Sequence, residues 1–328
     1  MSDLRGGLIG LGMMGRHHAR VLGDLPGVQL VAVADEGGDP NRLAGNATVH
    51  RSVDELIDQN IDLAVVAVPT FLHAQIGLQL AAAGVHALIE KPIASTVNDG
   101  ILLVDAFESR GLVGAVGHIE RFNPALQSMR QRIENGDLGD VYQIATRRQG
   151  PFPARIADVG VVKDLGTHDI DSTSWLAQSE YETVFAQTAF KSGRPHEDLV
   201  AITGRLKNRM LTNHLVNWLS PLKERLTIAT GEKGSFVADT TSGDLTFYEN
   251  GTIVTSWDSV AAFRGVTEGS VVRFALTKVE PLRAELEAFR DAVLGIRNDA
   301  VTLREGLSTL RVAEAALLSA TTGESVRL

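Results

Sequence analysis

The chain contains no cysteine in 328 residues. That absence excludes structural disulfides, thiolate zinc sites, iron–sulfur clusters and cysteine nucleophiles, and it agrees with a cytoplasmic setting. Also missing is any apolar run near the roughly 18 residues a membrane-spanning helix requires. The run Leu63 to Val68 is strand-sized, so no membrane protein is expected. The start, Met-Ser-Asp-Leu-Arg, leads into glycine-rich sequence without a charged region, a long apolar stretch or a small-residue cleavage site. Export is therefore not expected, and the sequons at Asn46 and Asn250 read as chance matches. Basic charge is in short supply: 31 Lys and Arg against 40 Asp and Glu give a net charge of −9. Such a balance opposes general nucleic-acid binding, which needs basic stripes, but leaves room for a local basic pocket that takes one anionic small molecule.

What is present is an ordinary globular composition, 44% hydrophobic and 22% charged, with length for about two domains. From Gly7 to about Arg121, short apolar runs alternate with helical patterns, as in a parallel sheet with crossover helices. Strands are expected at Gly7 to Ile9, Val28 to Ala34, Leu63 to Val68, Ala87 to Ile89 and Val113 to Gly117. Helices are expected at Gly15 to Leu22, Val53 to Gln59, His73 to Ala83 and Val97 to Glu108. The strands are apolar throughout, so helices should cover both faces of a doubly wound sheet. After Phe122 a helix from Asn123 to Asn135 precedes longer alternating strands, which predict a mostly antiparallel sheet with helices near Leu165 to Leu176, Pro281 to Leu294 and Leu303 to Thr321. Asn250-Gly251 predicts a two-residue hairpin turn. The expected organisation is a dinucleotide-binding domain over residues 1–122 and a catalytic α+β domain over residues 123–328, together an α/β protein.

Gly10-Leu11-Gly12-Met13-Met14-Gly15 is a G-x-G-x-x-G run that follows a strand and opens a helix. Gly10 suits the tight turn, Gly12 the approach of a pyrophosphate, and Gly15 close packing of helix on strand, with Met13 and Met14 in the contacting turn. Asp35 ends the second strand, twenty residues beyond Gly15, where a carboxylate accepts from ribose hydroxyls. A carboxylate repels a 2′-phosphate and Glu36 follows it, so NAD is favoured over NADP. His17 and His18 point in different directions from the same helix and are assigned a surface or capping role.

Ligands of open parallel sheets lie outside the carboxyl ends of the strands. Two segments there, Val68-Pro69-Thr70-Phe71-Leu72-His73 and Ile89-Glu90-Lys91-Pro92, should rim the cofactor, with Pro69, Thr70, His73, Glu90 and Lys91 as contacts. Lys91 beside a stiffening proline suits a positioned side chain, against the alternative of a solvated loop lysine. In the second half, Lys163-Asp164-Leu165-Gly166-Thr167-His168-Asp169-Ile170-Asp171 gathers ionisable groups in apolar surroundings. Three readings compete: an Asp164–His168 metal pair, a helix cap with an incidental histidine, and an oriented general base. A metal needs a third ligand, and Asp169 and Asp171 lie at other angles, so no metal is expected. For hydride transfer, a histidine suits removal of the hydroxyl proton and a cation suits the developing oxygen charge, roles that His168, Lys91 and Asp164 supply together.

On Gly10, Gly12 and Gly15, the Ala83-Gly84 to Glu90-Lys91-Pro92 segment, and Asp164-x-Gly166-x-His168, the chain resembles the glucose-fructose oxidoreductase, inositol dehydrogenase and rhizopine-catabolism family, Gfo/Idh/MocA, over nearly its whole length. The resemblance implies an amino-terminal Rossmann domain, a second domain with a large, mostly antiparallel sheet, Lys91 as catalytic lysine, His168 as acid/base and Asp164 as its support. It also implies a sugar or polyol substrate and a homodimer or homotetramer. Gly117 to Pro124, Gly150 to Pro153 and Glu280 to Leu282 are similar to the branch of UDP-N-acetylglucosamine and related nucleotide-sugar 3-dehydrogenases. Arg147, Arg148 and Arg155 flank a proline-stiffened loop and could pair with a diphosphate, with solvated arginines at a sheet edge as the alternative; Arg148 and Arg155 are the substrate candidates. Asn123 before proline reads as a helix cap. Two other functions stay open: oxidation of a free sugar or polyol such as inositol, and a non-catalytic dinucleotide-binding sensor or repressor.

Overall fold

The computed structural model describes residues 3–152, 159–251 and 267–328. The chain falls into two compact units. One comprises Met1–Ile119 with Glu280–Arg311, the other Glu120–Val279 with Val312–Leu328.

The first unit alternates strand and helix: β1 (Leu4–Ile9), α1 (Met13–Leu22), β2 (Val28–Ala34), β3 (Thr48–His50), α2 (Val53–Ile57), β4 (Leu63–Val66), α3 (His73–Ala82), β5 (His86–Glu90), α4 (Val97–Glu108) and β6 (Gly114–Gly117). All neighbours in its six-stranded sheet are parallel, in the order β3-β2-β1-β4-β5-β6. The order reverses between β1 and β4, and the crevice beyond their carboxyl ends is where such sheets take ligands. Strand residues alternate between two cores. Ile9, Ala34, Val66 and Ile89 join Ile76, Leu80, Leu103 and Phe107 on one face. Leu8, Val33, Val65 and Leu88 join Leu22, Leu282, Leu286 and Phe289 on the other. The expected doubly wound sheet is thus present. β3 has no counterpart in the sequence reading because it is a short edge strand whose Thr48 and Val49 are exposed. β1 starts earlier than expected, since Gly6-Gly7 reads as a turn. A side chain on Gly7 would come within 2.9 Å of Ile61, so glycine there serves packing.

The second unit holds α5 (Pro124–Glu134), β7 (Val141–Pro151), a π-helical turn (Val162–Gly166), α6 (Thr167–Ala177), β8 (Tyr181–Ala189), β9 (Leu199–Leu206), β10 (Leu211–Asn217), β11 (Leu219–Gly231), β12 (Gly234–Asp239), β13 (Asp244–Gly251) and β14 (Thr267–Arg273). Two further helices follow, α7 (Pro281–Val293) in the first unit and α8 (Leu303–Thr322), which contributes to both. The chain ends in β15 (Val326–Arg327). The nine strands run in the order β14-β13-β12-β11-β7-β10-β9-β8-β15. Every pairing is antiparallel except β7 with β10, so the sheet is mostly antiparallel as expected. Its inner face packs Ile144, Val200, Ile202, Val216, Ala229 and Phe236 under α5, α6 and the last turns of α8. Asn123 caps α5, its Oδ1 accepting from Ala125 N–H at 3.0 Å, while its Nδ2 donates to Thr240 O at 2.9 Å.

Two expectations are corrected. Asn250-Gly251 is not a hairpin turn: Asn250 pairs with Glu268 and Gly251 with Thr267, and neither has the positive φ such a turn needs. The Asn250 amide is used on the other side of the strand, where it donates to Glu232 O at 2.9 Å. Arg147 and Arg148 do not flank a loop but stand in β7, the central strand of the sheet.

Phe107 is 1% exposed in a core shared with Ile89 and Leu103. Phe107→Ala is expected to destabilise the protein by about 3–5 kcal/mol, read as a lowered denaturant midpoint.

Candidate active site

Backbone contact builds the turn after β1. Gly10 has φ +93°, and a Cβ on it would lie 2.5 Å from Ala67 O; a Cβ on Gly15 would lie 2.0 Å from Gly10 O. Neither position tolerates a side chain. Gly12 differs: it is exposed and nothing lies within 4 Å of its Cβ direction, so the open space is on the outside. It caps α1 without a side-chain hydrogen bond, leaving the first N–H groups of the helix, those of Met13, Met14 and Gly15, outside the i−4 ladder. Asp35 ties this turn to the end of β2. Its Oδ2 accepts from Leu11 N–H at 2.7 Å and its Oδ1 from Gly37 N–H at 2.8 Å. A concave backbone with free N–H groups and a fixed carboxylate beside it fits a dinucleotide, the pyrophosphate at the helix end and the ribose at Asp35.

Beyond β4 and β5 the candidates divide. Pro69 is exposed, and Thr70 and Lys91 are half-buried. His73 is 1% exposed, and its ring nitrogens lie 2.8 Å from Pro92 O and 3.0 Å from Val68 O. Glu90 is buried, with Oε1 2.8 Å from His18 Nε2 and Oε2 accepting from Lys91 N–H at 3.2 Å. His73 and Glu90, expected to contact the cofactor, thus have side chains engaged by their own chain. Burial pushes the Glu90 carboxyl up, but the His18 hydrogen bond and the charges of His18, Lys91 and His73 outweigh it and hold Glu90 below the usual range. His18 is likewise no surface residue; it is 0% exposed. One sequence signal pointed there, since Gly15, His18, Ala19 and Leu22 form the buried stripe of α1.

In the second unit Asp164 sits in the π-helical turn and is 3% exposed, and half-buried His168 opens α6. Buried Glu197 fixes the start of that turn: its Oε1 accepts from Val162 N–H and its carbonyl from Val161 N–H, both at 3.0 Å. A side chain on Gly160 would meet the Glu197 carboxyl at 2.1 Å. The residues after His168 are clamped by charge. Arg121 donates to both oxygens of Asp171, at 2.8 and 2.7 Å. Arg148, 3% exposed, donates from Nη1 to Glu120 at 2.8 Å and from Nε to Asp169 at 3.1 Å. Arg148 is thus no solvated edge residue, and the guanidinium read as a diphosphate candidate is occupied by two carboxylates of its own chain. Arg147 pairs with Glu224, and Arg155 lies outside the described residues. One guanidinium serving two acids leaves them unequal. Burial raises both; the charge and hydrogen bond of Arg148, with help from Arg225, keep Glu120 low, while Asp169 is pushed up to about 6 despite Arg148. Glu120, Arg121 and Glu197 were not legible as site residues because each meets the partner named here across at least 28 residues of chain, and Arg148 was singled out without either of its partners. Nearby on the inner face, His214 lies between Thr146 Oγ1 at 2.8 Å and Tyr181 OH at 2.6 Å, and burial pushes it down to about 3.

A family model described as the GFO/IDH/MocA oxidoreductase family with an NAD-binding Rossmann fold matches residues 4–118, and the GFO/IDH/MocA C-terminal domain matches residues 126–237. A UDP-N-acetylglucosamine 3-dehydrogenase of Acidithiobacillus ferrooxidans is 30% identical over 97% of this chain and 96% of its own length. The chain belongs to the Gfo/Idh/MocA oxidoreductase family. An inositol 2-dehydrogenase of Saccharopolyspora erythraea, 29% identical over 97% of this chain and 94% of its own, is another relative. The solved UDP-N-acetylglucosamine 3-dehydrogenase from A. ferrooxidans has a TM-score of 0.85 at 27% identity, covering 98% of this chain and 99% of that one. The WlbA dehydrogenase of Bordetella pertussis, solved with NADH and UDP-GlcNAcA, shares the fold at a TM-score of 0.84 and 23% identity, over 100% of this chain and 98% of its own. As a member of this family the chain is an oxidoreductase with an NAD-binding Rossmann domain.

Two outcomes follow from the geometry. Gly12→Ala should leave stability within about 1 kcal/mol of the parent but weaken dinucleotide binding about tenfold or more in a fluorescence titration, whereas Gly15→Ala should destabilise the fold by about 1–3 kcal/mol. Arg148→Met removes the shared cation of buried Glu120 and Asp169, leaving Arg225 beside Glu120, at a cost of about 3–5 kcal/mol near pH 8. With Asp169 then raised further above its unfolded value, the folded chain binds a proton the unfolded chain does not. Stability should accordingly recover as pH falls toward 5, seen in denaturant midpoints across pH.

Proposed function

We propose that the chain oxidises a secondary hydroxyl of a sugar, preferably a nucleotide sugar such as UDP-N-acetylglucosamine, to the keto sugar with NAD. The observation that carries the reading is that both chemical segments are built into buried scaffolds. Glu90, His18 and His73 stand behind Lys91, and Glu197, Arg121 and Arg148 stand around Asp164 and His168. Segments anchored in this way on either side of the reacting groups suit a catalyst, whereas a sensor or repressor has no need of them. The substrate class is supported by the whole-length relative named for UDP-N-acetylglucosamine. NAD over NADP is supported by Asp35, whose charge is pinned by two backbone N–H groups where a 2′-phosphate would come.

In this mechanism His168 takes the hydroxyl proton, and the Lys91 ammonium stabilises the charge that develops on the oxygen. Asp164 orients His168. The N–H groups of Met13, Met14 and Gly15 hold the pyrophosphate, Asp35 the ribose, and Pro69 and Thr70 rim the crevice. The nicotinamide, when bound, supplies the hydride acceptor. Arg155 is the basic residue assigned to a diphosphate. A homo-oligomer is supported by Phe185, Leu211 and Leu215, exposed apolar side chains on the outer face of the large sheet.

The inositol dehydrogenase relative of nearly equal identity favours a second reading, oxidation of a free polyol. The two separate in an NAD-reduction screen at 340 nm over UDP-sugars, free sugars and myo-inositol. The first reading expects turnover of a UDP-sugar, a rise in its KM with Arg155→Glu, and loss of about 100-fold or more in kcat with Lys91→Ala or His168→Ala. Turnover of inositol alone, unchanged by Arg155→Glu, selects the second. Unchanged kcat in the Lys91 and His168 variants removes the site assignment.

A further inference from the structure

Behind Lys91 a relay runs back to the first helix. His18 is fully buried on the packed stripe of α1, where an aliphatic residue would cost less. Its Nε2 faces Glu90 Oε1 at 2.8 Å, and its Nδ1 has no hydrogen-bond partner among the described residues, so the imidazole makes one polar contact and that contact is Glu90. The other oxygen of Glu90 accepts the backbone N–H of Lys91. Opposite Glu90 in the sheet stands Gly117, where a Cβ would press to 3.2 Å from Glu90 Oε2, so β6 leaves room for the carboxylate. We propose that His18 is a positioning residue: through the Glu90 carboxylate it fixes the backbone of Lys91, and so sets that lysine against the helix whose first turn receives the dinucleotide. The inference rests on the assignment of Lys91 to the reacting oxygen.

The groups that face Glu90 are His18 from α1, His73 from α3 and Lys91 beside it, and all favour its charged form against burial. Without His18, the proton equilibrium of Glu90 moves upward, and below the new value the group is a neutral acid and a weaker acceptor. A histidine that merely fills space predicts no such pH dependence.

The test compares His18→Leu, His18→Gln and Lys91→Ala with the parent by hydrogen exchange of the segment spanning residues 88–93 across pH, and by NAD reduction with UDP-N-acetylglucosamine and myo-inositol. His18→Leu is expected to speed exchange of the Lys91 amide, to lower kcat about 100-fold with little change in cofactor KM, and to give both effects an acid limb absent from the parent. His18→Gln, whose amide can reach Glu90, is expected to restore protection and remove that limb. If the leucine variant does not fold, His18→Asn, whose amide falls short of Glu90, replaces it. Parent-like exchange at every pH in His18→Leu overturns the proposal, as does His18→Gln behaving like His18→Leu. Lys91→Ala separates this from failure of the site reading: retained turnover there sinks the role of Lys91, while amide exchange still judges His18.

Discussion

A carboxylate taken out of water must find donors inside the fold, and both units are arranged around that requirement. In the first, buried Glu90 is met by His18 and by the N–H of Lys91. In the second, Glu120 and Asp169 share Arg148, Asp171 takes both arms of Arg121, and Glu197 receives the start of the π-helical turn. Glu90 adjoins Lys91, Asp169 and Asp171 follow His168, and Glu120 and Glu197 reach the second segment through Arg148 and Val162. An unpaired charge there costs several kcal/mol, so the pairs define where the adjoining backbone runs. Arg148 also shows the limit of such arrangements: one cation against two acids holds Glu120 in its charged form and leaves Asp169 titrating near 6.

The dinucleotide turn depends on a different constraint, the absence of Cβ atoms. Gly10 and Gly15 are required by backbone lying 2.5 and 2.0 Å from where a Cβ would stand, whereas Gly12 is required by nothing in the chain itself. Its surroundings are open. A single G-x-G-x-x-G run therefore contains two kinds of glycine, one kind required by the fold and the other left for the cofactor contact proposed above.

Much of the fold was legible because apolar runs and helical spacing are local. Val28 to Ala34 and Val97 to Glu108 were read with their observed limits. Failures came where local pattern and tertiary partners disagree. β7 carries Thr146 and Arg148 on its inner face, so its alternation looks polar; Arg148 is inside only because Glu120 and Asp169 are there to meet it. Asn250-Gly251 has the composition of a turn, yet Lys233 O and Glu232 O lie alongside and draw Asn250 into the ladder.

The amino-acid sequence by itself determined the parallel glycine-fingerprint half, the mostly antiparallel second half, the family, and the residues Lys91, Asp164 and His168 as candidates. These follow from residue type and short spacing, which tertiary contacts do not alter. Only the tertiary structure decided that Glu280–Arg311 belongs with the first unit, that the side chains of His73 and Glu90 are engaged within the chain, that Arg148 is an internal cation, and that His18 is buried against Glu90. His18 and Glu90 stand 72 residues apart, and their pairing comes from the fold bringing α1 and the end of β5 within hydrogen-bond reach. No local pattern encodes that proximity; it arises because burial leaves the imidazole Nε2 and the free Glu90 oxygen to satisfy one another.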